Sequence, residues 1–194
     1  MLIVITGASG SGKSYIAEYL EMLDPRIFHI DIDKIGHEIL KQNVVKNALV
    51  NRFGSFILEN NEVSRNKLSK LVFNNKENMN VLTAITWHHM EKEIDKLILE
   101  NKSRIILLDW LLITKTKYFN MSDMKILIKA DINLRINRAI DRDKITVAKF
   151  MERENATEKY NEKLFDYILV NSGLNDTKRK VKKIYDKSIV PGKF

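Results

Sequence analysis

The chain has 194 residues, of which 44% are hydrophobic and 30% charged, a composition typical of one globular domain with a sizeable core. It contains no cysteine, which excludes disulfides, thiolate catalysis and cysteine–zinc sites and favours a cytoplasmic protein. No apolar run approaches the roughly 20 residues that cross a bilayer, and no basic segment of a signal peptide opens the chain, so we expect no membrane association.

Five short apolar runs predict β-strands, and the segments between them predict helices. The strands are expected at residues 2–6, 27–31, 104–109, 125–130 and 166–171. Helices are expected at 11–23, 133–142, much of 145–163 and most of 34–100, the last with a break near Phe53–Gly54 and a polar loop at 59–64. This alternation predicts a parallel sheet covered on both faces, with ligands at the carboxyl ends of its strands.

The net charge of +8 is concentrated at the end of the chain. From Leu174 onward there are seven Lys or Arg against two Asp, or +5 of the total. Apolar residues recur there at roughly helical spacing, at Leu174, Val181, Ile184, Tyr185 and Ile189. We predict a C-terminal helix with one buried stripe and a solvated cationic face, a surface that also suits polyphosphate ligands, rather than a dedicated nucleic-acid patch.

A phosphate-binding loop follows the first predicted strand. Residues 7–14, Gly7-Ala8-Ser9-Gly10-Ser11-Gly12-Lys13-Ser14, fit the P-loop pattern GxxxxGK[ST] between a strand and a helix. Glycines let backbone N–H groups approach phosphate oxygens, and the following helix adds the positive end of its dipole. Lys13 is placed to reach the β and γ phosphates, and the Ser14 hydroxyl to ligand Mg²⁺. The loop therefore predicts a nucleoside triphosphate site, which extends to Tyr15.

A P-loop alone does not separate a kinase from a GTPase or a nucleotide-driven switch. The guanine-reading NKxD segment is absent from the sequence, and the chain is too short for a motor module. We therefore favour a small-molecule kinase, which needs a carboxylate near the acceptor hydroxyl, cations on the transferred phosphoryl group and a lid that excludes water.

Three aspartates at strand ends are candidates for the acidic roles. Asp31 and Asp33 lie at the end of the second predicted strand, where one of them can orient or deprotonate the acceptor hydroxyl; alternatively, Asp33 caps the next helix. Asp109 ends the strand at 104–109, where a second acid would bind Mg²⁺, although a strand-end aspartate can also serve only a turn.

Cationic side chains cluster on the helix after the fourth strand. Arg138 and Arg142 are four residues apart and share a face with the potential to bind phosphate oxygens, together with Arg135 and Arg153. The alternative is salt bridging to nearby acids. His88 and His89 point about 100° apart on a predicted helix, so they do not form a two-histidine metal site; one of them can contact substrate or simply pack on the helix.

Several stretches, at matching intervals, resemble the dephospho-CoA kinase family, whose members phosphorylate the ribose 3′-hydroxyl of dephospho-CoA. Residues 5–14 resemble the family's opening TGGIGSGKS, and residues 29–40 its DADxIxR stretch. Residues 65–86 resemble its RxxLxxxVF segment, RAIDRD at 138–143 its RxxxRD segment, and DYILVNSG at 166–173 its DxVIxNxG strand. Three departures concern the His-Pro position near His88–His89, the PLLFE segment at 109–114 and a glutamine near Glu154–Asn155.

The resemblance assigns roles to individual residues. It implies that Asp33 is the catalytic base, that Arg65 contacts the acceptor nucleotide with Asp31, His88 and His89 nearby, and that Asn171 and Gly173 lie near the adenine pocket. Lys13, Arg138 and Arg142 are expected to stabilise charge on the γ-phosphoryl group, with Arg138 also binding ATP. Ser14 and Asp109 are the expected Mg²⁺ ligands.

We therefore predict an α/β, P-loop NTPase-type three-layer fold with a five-stranded parallel sheet, a helical acceptor-binding insertion and a lid. One kinase domain spans 1–194, with its core at 1–33, 101–143 and 164–194, its acceptor region at 34–100 and its lid at 144–163. The expected reaction converts ATP·Mg²⁺ and dephospho-CoA to CoA in a cytoplasmic monomer. Two alternatives stay open: a kinase of the same fold with another nucleotide or nucleoside acceptor, and a nucleotide-dependent nucleic-acid-binding or regulatory protein without kinase activity.

Overall fold

The structure is a computed structural model that describes residues 1–73, 75–157 and 159–190. It divides into two compact units. Unit 1 comprises Met1–Asp31 and the described part of Asn101–Phe194, and unit 2 comprises Ile32–Glu100 with the same restriction.

In chain order, the strands are β1 (Leu2–Thr6), β2 (Ile27–Asp31), β3 (Leu58–Glu59), β4 (Glu62–Val63), β5 (Ile105–Asp109), β6 (Met124–Lys129) and β7 (Tyr167–Val170). The α-helices are α1 (Lys13–Leu23), α2 (Ile32–Ile39), α3 (Asn43–Phe53), α4 (Arg65–Val72), α5 (Lys76–Glu100), α6 (Lys117–Met121), α7 (Ile132–Asp143), α8 (Val147–Ala156) and α9 (Leu174–Ile184). Short 3₁₀ helices occupy Ser55–Ile57, Ile113–Lys115 and Glu162–Leu164.

Unit 1 is built on a parallel sheet of five strands in the order β2-β5-β1-β6-β7, as the sequence predicted. The central strand β1 pairs in parallel with β5 and β6, and its residues Ile3, Val4 and Ile5 are fully buried. Strands covered on both faces need apolar side chains throughout, which is why β1 and β5 read as continuous apolar runs. β5 lies between β1 and β2 in the sheet. The carboxyl end of β5, at Asp109, is therefore next to the carboxyl end of β1, where the P-loop begins.

Side-chain caps begin α7, which precedes the predicted lid, and α8, which lies within it. The Asp131 carboxylate accepts from the Asn133 N–H at 2.8 Å at the start of α7. The Thr146 hydroxyl accepts from the Lys149 N–H at 3.2 Å at the start of α8. Each cap satisfies a backbone donor that has no partner inside its helix, so both helices start where the sequence provides a capping residue.

The basic C-terminal segment is helical, but its buried stripe differs from the predicted one. α9 continues into a π-helical turn at Tyr185–Ile189. The buried positions repeat every four residues, at Thr177, Val181, Tyr185 and Ile189, whereas Leu174 is 64% exposed. Leu174 lies three residues before Thr177 and is not part of this four-residue repeat. The prediction that Leu174 belongs to the buried stripe is therefore wrong.

Many of the basic side chains on this segment have acidic partners on the same helical surface. Arg179 and Lys180 both contact Asp176, and Lys182 contacts Asp186 at 2.5 Å. The two aspartates of the segment are therefore both paired, and three of its basic side chains are engaged on the helical surface itself.

In unit 2, α2, α3 and α4 each pack against the long helix α5, and a short hairpin joins α3 to α4. Of the polar loop expected at 59–64, only Asn60 and Asn61 form the turn of that hairpin, with φ of 49° and 63°, whereas Glu59 and Glu62–Val63 belong to its strands. Asparagine tolerates this left-handed conformation better than most residues, and it is favoured in tight hairpin turns. α2 begins at Ile32, so Asp33 lies within its first turn rather than at the N-cap position. Across the described ranges, no helix is both long and apolar enough to cross a bilayer.

Candidate active site

The P-loop, residues 7–14, connects β1 to α1 and needs glycine where other elements approach it. Gly10 and Gly12 have φ of 77° and 94°, in the left-handed region that glycine favours. A Cβ on Gly10 would lie 2.5 Å from the Arg135 carbonyl oxygen, and one on Gly12 would lie 2.4 Å from Asn171 Nδ2. Both conformation and close packing therefore require the glycines in the middle of the loop.

Three successive carbonyl groups of the loop accept hydrogen bonds from side chains outside it. The pairs are Arg135 Nε to the Ser9 carbonyl (2.9 Å), Arg138 Nη1 to the Gly10 carbonyl (3.2 Å) and Asn171 Nδ2 to the Ser11 carbonyl (2.8 Å). In a planar trans peptide the N–H of the next residue points opposite to the carbonyl. The N–H groups of Gly10 and Gly12 therefore point away from these side chains, as a cradle for an anion requires.

The start of α1 adds to this anion-binding character. Gly12 occupies the N-cap position and has no side chain to cap the first turn, which contains no acidic residue. Lys13 follows directly, and its side chain is 14% exposed. Free helix N–H groups, the positive end of the helix dipole and one ammonium group thus converge, an arrangement that favours phosphate.

Asp109 at the end of β5 is the acid next to the loop. It is 3% exposed, and its Oδ1 lies 4.0 Å from Lys13 Nζ. The Ser14 hydroxyl donates to its Oδ2 at 3.3 Å. Asp31 on β2 is directly opposite Asp109 in the sheet register. Within the described residues, Asp109 Oδ1 has no hydrogen-bond partner. A buried carboxylate oxygen that accepts no hydrogen bond, with its nearest ammonium group 4.0 Å away, calls for a cation or a further donor.

These groups fit Mg²⁺. The ion takes oxygen ligands, keeps several waters and is usually held by one or two carboxylates together with substrate phosphates. Ser14 Oγ and the Asp109 carboxylate provide such oxygens beside the phosphate cradle. In the described parts of the chain no three His, Cys, Asp or Glu side chains are grouped so that they could hold a metal ion by themselves.

His29 also belongs to this cluster, although the sequence did not single it out. Its side chain is 8% exposed; Nε2 lies 3.7 Å from Asp109 Oδ2 and Nδ1 lies 3.7 Å from Glu21 Oε2. The backbone N–H of His29 donates to the other Glu21 oxygen at 3.1 Å. The one signal available was the two-residue spacing from Asp31, which places both side chains on the same face of β2.

The predicted phosphate-binding arginines take different positions. Arg138 contacts the loop and also donates to Asn171 Oδ1 at 3.4 Å. Arg142 is exposed and donates to both oxygens of Asp143, at 2.7 and 3.0 Å, and Arg153 reaches the same carboxylate at 3.4 Å. The Arg142 guanidinium holds the pKa of Asp143 below its usual range. Arg135, by contrast, is 8% exposed and directed at the loop backbone.

A cavity of about 440 Å³ lies beside the P-loop in unit 1, lined by Ala8 and Ser11 and by the predicted lid, including Glu154 and Tyr160. The Ser11 hydroxyl is buried and has no hydrogen-bond partner within the described residues. Tyr160 donates to the Leu111 carbonyl at 2.8 Å, and burial raises the pKa of its phenol. The volume falls within the range of small-molecule sites.

Two further predicted nucleotide-binding residues lie elsewhere in unit 1. Tyr15, in the first turn of α1, is half-buried, and Gly173 immediately precedes α9.

Unit 2 carries the remaining predicted site residues. Asp33 is exposed in the first turn of α2, and Arg65 is exposed at the start of α4, where it lines a cavity of about 290 Å³ with His37 and Lys41. His88 is exposed and His89 half-buried on α5, with ring centroids 5.9 Å apart.

Comparisons with known proteins identify the family of the chain. The family model of dephospho-CoA kinase matches residues 1–176. A dephospho-CoA kinase of Aquifex aeolicus is 32% identical over 191 residues, covering 95% of this chain and 95% of that protein. One of Fusobacterium nucleatum is 29% identical over 187 residues, covering 94% and 96%.

The fold is also that of solved P-loop kinases. The structure of dephospho-CoA kinase from Campylobacter jejuni superimposes with a TM-score of 0.61, at 24% identity and 96% coverage of both chains. With the family pattern matched from the P-loop strand into the first turn of α9, the chain belongs to the dephospho-CoA kinase family.

Proposed function

We propose that this chain transfers the γ-phosphoryl group of ATP to the ribose 3′-hydroxyl of dephospho-CoA, giving CoA and ADP. The chain's family consists of phosphotransferases that act on this hydroxyl-bearing acceptor. The observation that carries the proposal is the grouping of Lys13, Ser14 and the buried Asp109 at the mouth of the P-loop. This grouping combines an anion cradle with oxygen ligands for a metal, as phosphoryl transfer requires.

The P-loop binds the phosphates in this proposal. The N–H groups of the loop and of the first turn of α1 donate to phosphate oxygens, and Lys13 Nζ contacts the β and γ phosphates. Arg138 uses two of its five N–H donors in the described contacts, and Arg142 lies one turn further along α7. We assign both arginines to the negative charge that spreads over the γ-phosphoryl oxygens during transfer.

Asp33 acts as the base. Its carboxylate accepts the proton of the 3′-hydroxyl while that oxygen forms a bond to the γ-phosphorus. The bond from γ-phosphorus to the bridging oxygen breaks at the same time, and its electron pair leaves with ADP. Ser14 and Asp109 would hold Mg²⁺, which would supply positive charge to offset the negative charge of the phosphates.

The acceptor is assigned to residues 34–100, the lid to 144–163 and the nucleotide-binding core to 1–33, 101–143 and 164–194. In the acceptor region we propose that Arg65, which lines a cavity there, pairs with phosphate groups of dephospho-CoA, with His88 and His89 as further acceptor contacts. Asp31, at the end of β2 in the core, is proposed as one more acceptor contact. Asn171 and Gly173 are assigned to the binding of ATP. For Asn171 we propose an indirect role, because its side chain donates to the Ser11 carbonyl of the P-loop.

An acceptor screen tests the proposal. Purified protein with ATP and Mg²⁺ should release ADP with dephospho-CoA and not with a panel of nucleotides and nucleosides. ADP release with one of those acceptors and none with dephospho-CoA would instead support a same-fold kinase of other specificity. Salt-dependent binding to DNA or RNA without any ADP release would support the regulatory alternative.

We further propose that the enzyme acts in the cytoplasm as a monomer, without a membrane or nucleic-acid partner. The pairing of basic side chains on α9 with Asp176 and Asp186 supports the last point. Light scattering on a size-exclusion column measures the oligomeric state, and a molar mass near 22.6 kDa is expected.

A further inference from the structure

One guanidinium group connects the P-loop to the helix of the predicted lid. Arg135 Nε donates to the Ser9 carbonyl at 2.9 Å, and its Nη1 donates to Glu154 Oε1 on α8 at 2.9 Å. Its Nη2 donates to the other oxygen of Glu154, which completes a bidentate pair. The Phe150 ring, also on α8, lies 5.6 Å from the guanidinium carbon.

The geometry of arginine makes these contacts interdependent. A guanidinium is planar and rigid, so its Nε–H and its paired Nη–H groups keep fixed directions relative to one another. Arg135 is only 8% exposed, and a buried cation depends strongly on its acceptors. A movement of α8 that carries Glu154 away must therefore either rotate the guanidinium away from Ser9 or leave a buried charge without its carboxylate.

The backbone of Arg135 restricts the loop at the next residue as well. A Cβ on Gly10 would lie 2.5 Å from the Arg135 carbonyl oxygen and 2.9 Å from its Cα. The loop is thus packed against α7 at Gly10 and held by hydrogen bonding at Ser9. The Ser9 carbonyl belongs to the peptide whose N–H is that of Gly10, one of the amides directed toward the anion site.

We propose that Arg135 is a positioning residue that couples helix α8 to the nucleotide site by holding Glu154 and the Ser9 carbonyl at once. The inference rests on the proposed function only in that the P-loop binds nucleotide. Coupling between two sites is reciprocal: nucleotide that fixes the loop stabilises α8, and loss of the Glu154 contact weakens nucleotide binding.

The test compares Glu154→Gln and Arg135→Lys with the matched control Glu152→Gln. Lysine keeps the charge but lacks the planar fork, and glutamine keeps a hydrogen-bonding group but lacks the charge. Glu152 is on the same helix in a half-buried pair with Lys149, so the control makes the same chemical change in a different ion pair. Calorimetric titration with ADP, without acceptor, measures affinity, and hydrogen exchange of residues 147–156 measures the response of α8.

ADP should bind Glu154→Gln and Arg135→Lys about 5- to 20-fold more weakly than the unmodified protein, a range typical of allosteric coupling. ADP should also slow hydrogen exchange in 147–156 of the unmodified protein and of the control, and this response should be lost in Glu154→Gln. The control should bind ADP as the unmodified protein does.

Unchanged ADP affinity and an unchanged exchange response in Glu154→Gln would overturn the coupling, even if the melting temperature fell, because a purely structural pair would affect only stability. This readout does not need Arg135→Lys to fold. Failure of the unmodified protein to bind ADP would refute the proposed function itself, and the coupling with it.

Discussion

Asn171→Ala distinguishes support of the P-loop from direct contact with nucleotide. Asn171 is 4% exposed; its Nδ2 donates to the Ser11 carbonyl at 2.8 Å, and its Oδ1 accepts from Thr177 Oγ1 at 3.0 Å. Ser11 and Thr177 are each 1% exposed, so water does not readily replace the lost partner. The family resemblance alone implies a residue beside adenine, whereas these contacts describe a residue underneath the loop.

The expected loss of folding stability follows from the polar groups that lose Asn171 as their hydrogen-bond partner. Each buried polar group that loses its partner costs about 1–3 kcal/mol, and alanine removes the partner of two such groups, the Ser11 carbonyl and the Thr177 hydroxyl. The longer contact from the half-buried Arg138, at 3.4 Å, is lost as well. We expect the free energy of unfolding without nucleotide to fall by about 2–4 kcal/mol, allowing for partial relaxation. Asn175→Ala, at an exposed asparagine in the first turn of α9, is the control and should change it by less than about 0.5 kcal/mol.

Guanidinium denaturation of the protein without nucleotide measures both variants, and titration with ADP measures binding. The expected result for Asn171→Ala is a lower stability together with weaker binding. Unchanged stability with weaker ADP binding would refute the reasoning, since it would make Asn171 a direct ligand of the nucleotide.

Three further predictions concern single carboxylates. Asp33→Asn should lower kcat by about 10²-fold while ADP affinity stays nearly unchanged, since a base acts on the acceptor proton; unchanged turnover would remove Asp33 from the mechanism. Asp109→Asn should raise the Mg²⁺ concentration needed for half-maximal nucleotide binding, measured by titration, and an unchanged requirement would exclude Asp109 as a ligand. The hydrogen bond from Arg26 lowers the pKa of Asp24 from 3.8 to about 2, against the opposing effect of burial, and Tyr185 donates to the same carboxylate at 3.0 Å. Because the pKa is lower in the folded state, this stabilisation is present above about pH 4 and is lost as the pH falls toward 2. The free energy of unfolding in urea should therefore decrease less between pH 4 and pH 2 in Asp24→Asn than in the unmodified protein. An equal decrease in both proteins would contradict the assignment.

The regular elements of unit 1 were largely predictable because local pattern determines them. β1 and β2 match the predicted residues 2–6 and 27–31: β1 is a short apolar run that ends at the P-loop, and β2 has three apolar residues of five and ends at an aspartate. The P-loop was predictable for a related reason, because its glycines and Lys13 form a contiguous pattern. α6 was not predicted, since five residues contain too little periodicity to indicate a helix.

Contacts between distant parts of the chain could not be predicted. Arg135 and Ser9 are 126 residues apart, and nothing local at either position indicates that a guanidinium on α7 holds a carbonyl of the loop. The sequence placed Arg135 among possible phosphate ligands, whereas the fold directs it at the loop backbone. His29 was missed for the same reason, since its proximity to Asp109 depends on β5 lying beside β2.

The position of the transferred phosphate tests the central claim most directly. After incubation of the protein with ATP, Mg²⁺ and dephospho-CoA, phosphorus NMR and mass spectrometry of the purified product identify the phosphorylated atom. A new phosphate monoester on the ribose 3′-oxygen, with one ADP formed per CoA, is the predicted result. Dephospho-CoA recovered unchanged, or phosphorylated at any other oxygen, would contradict it.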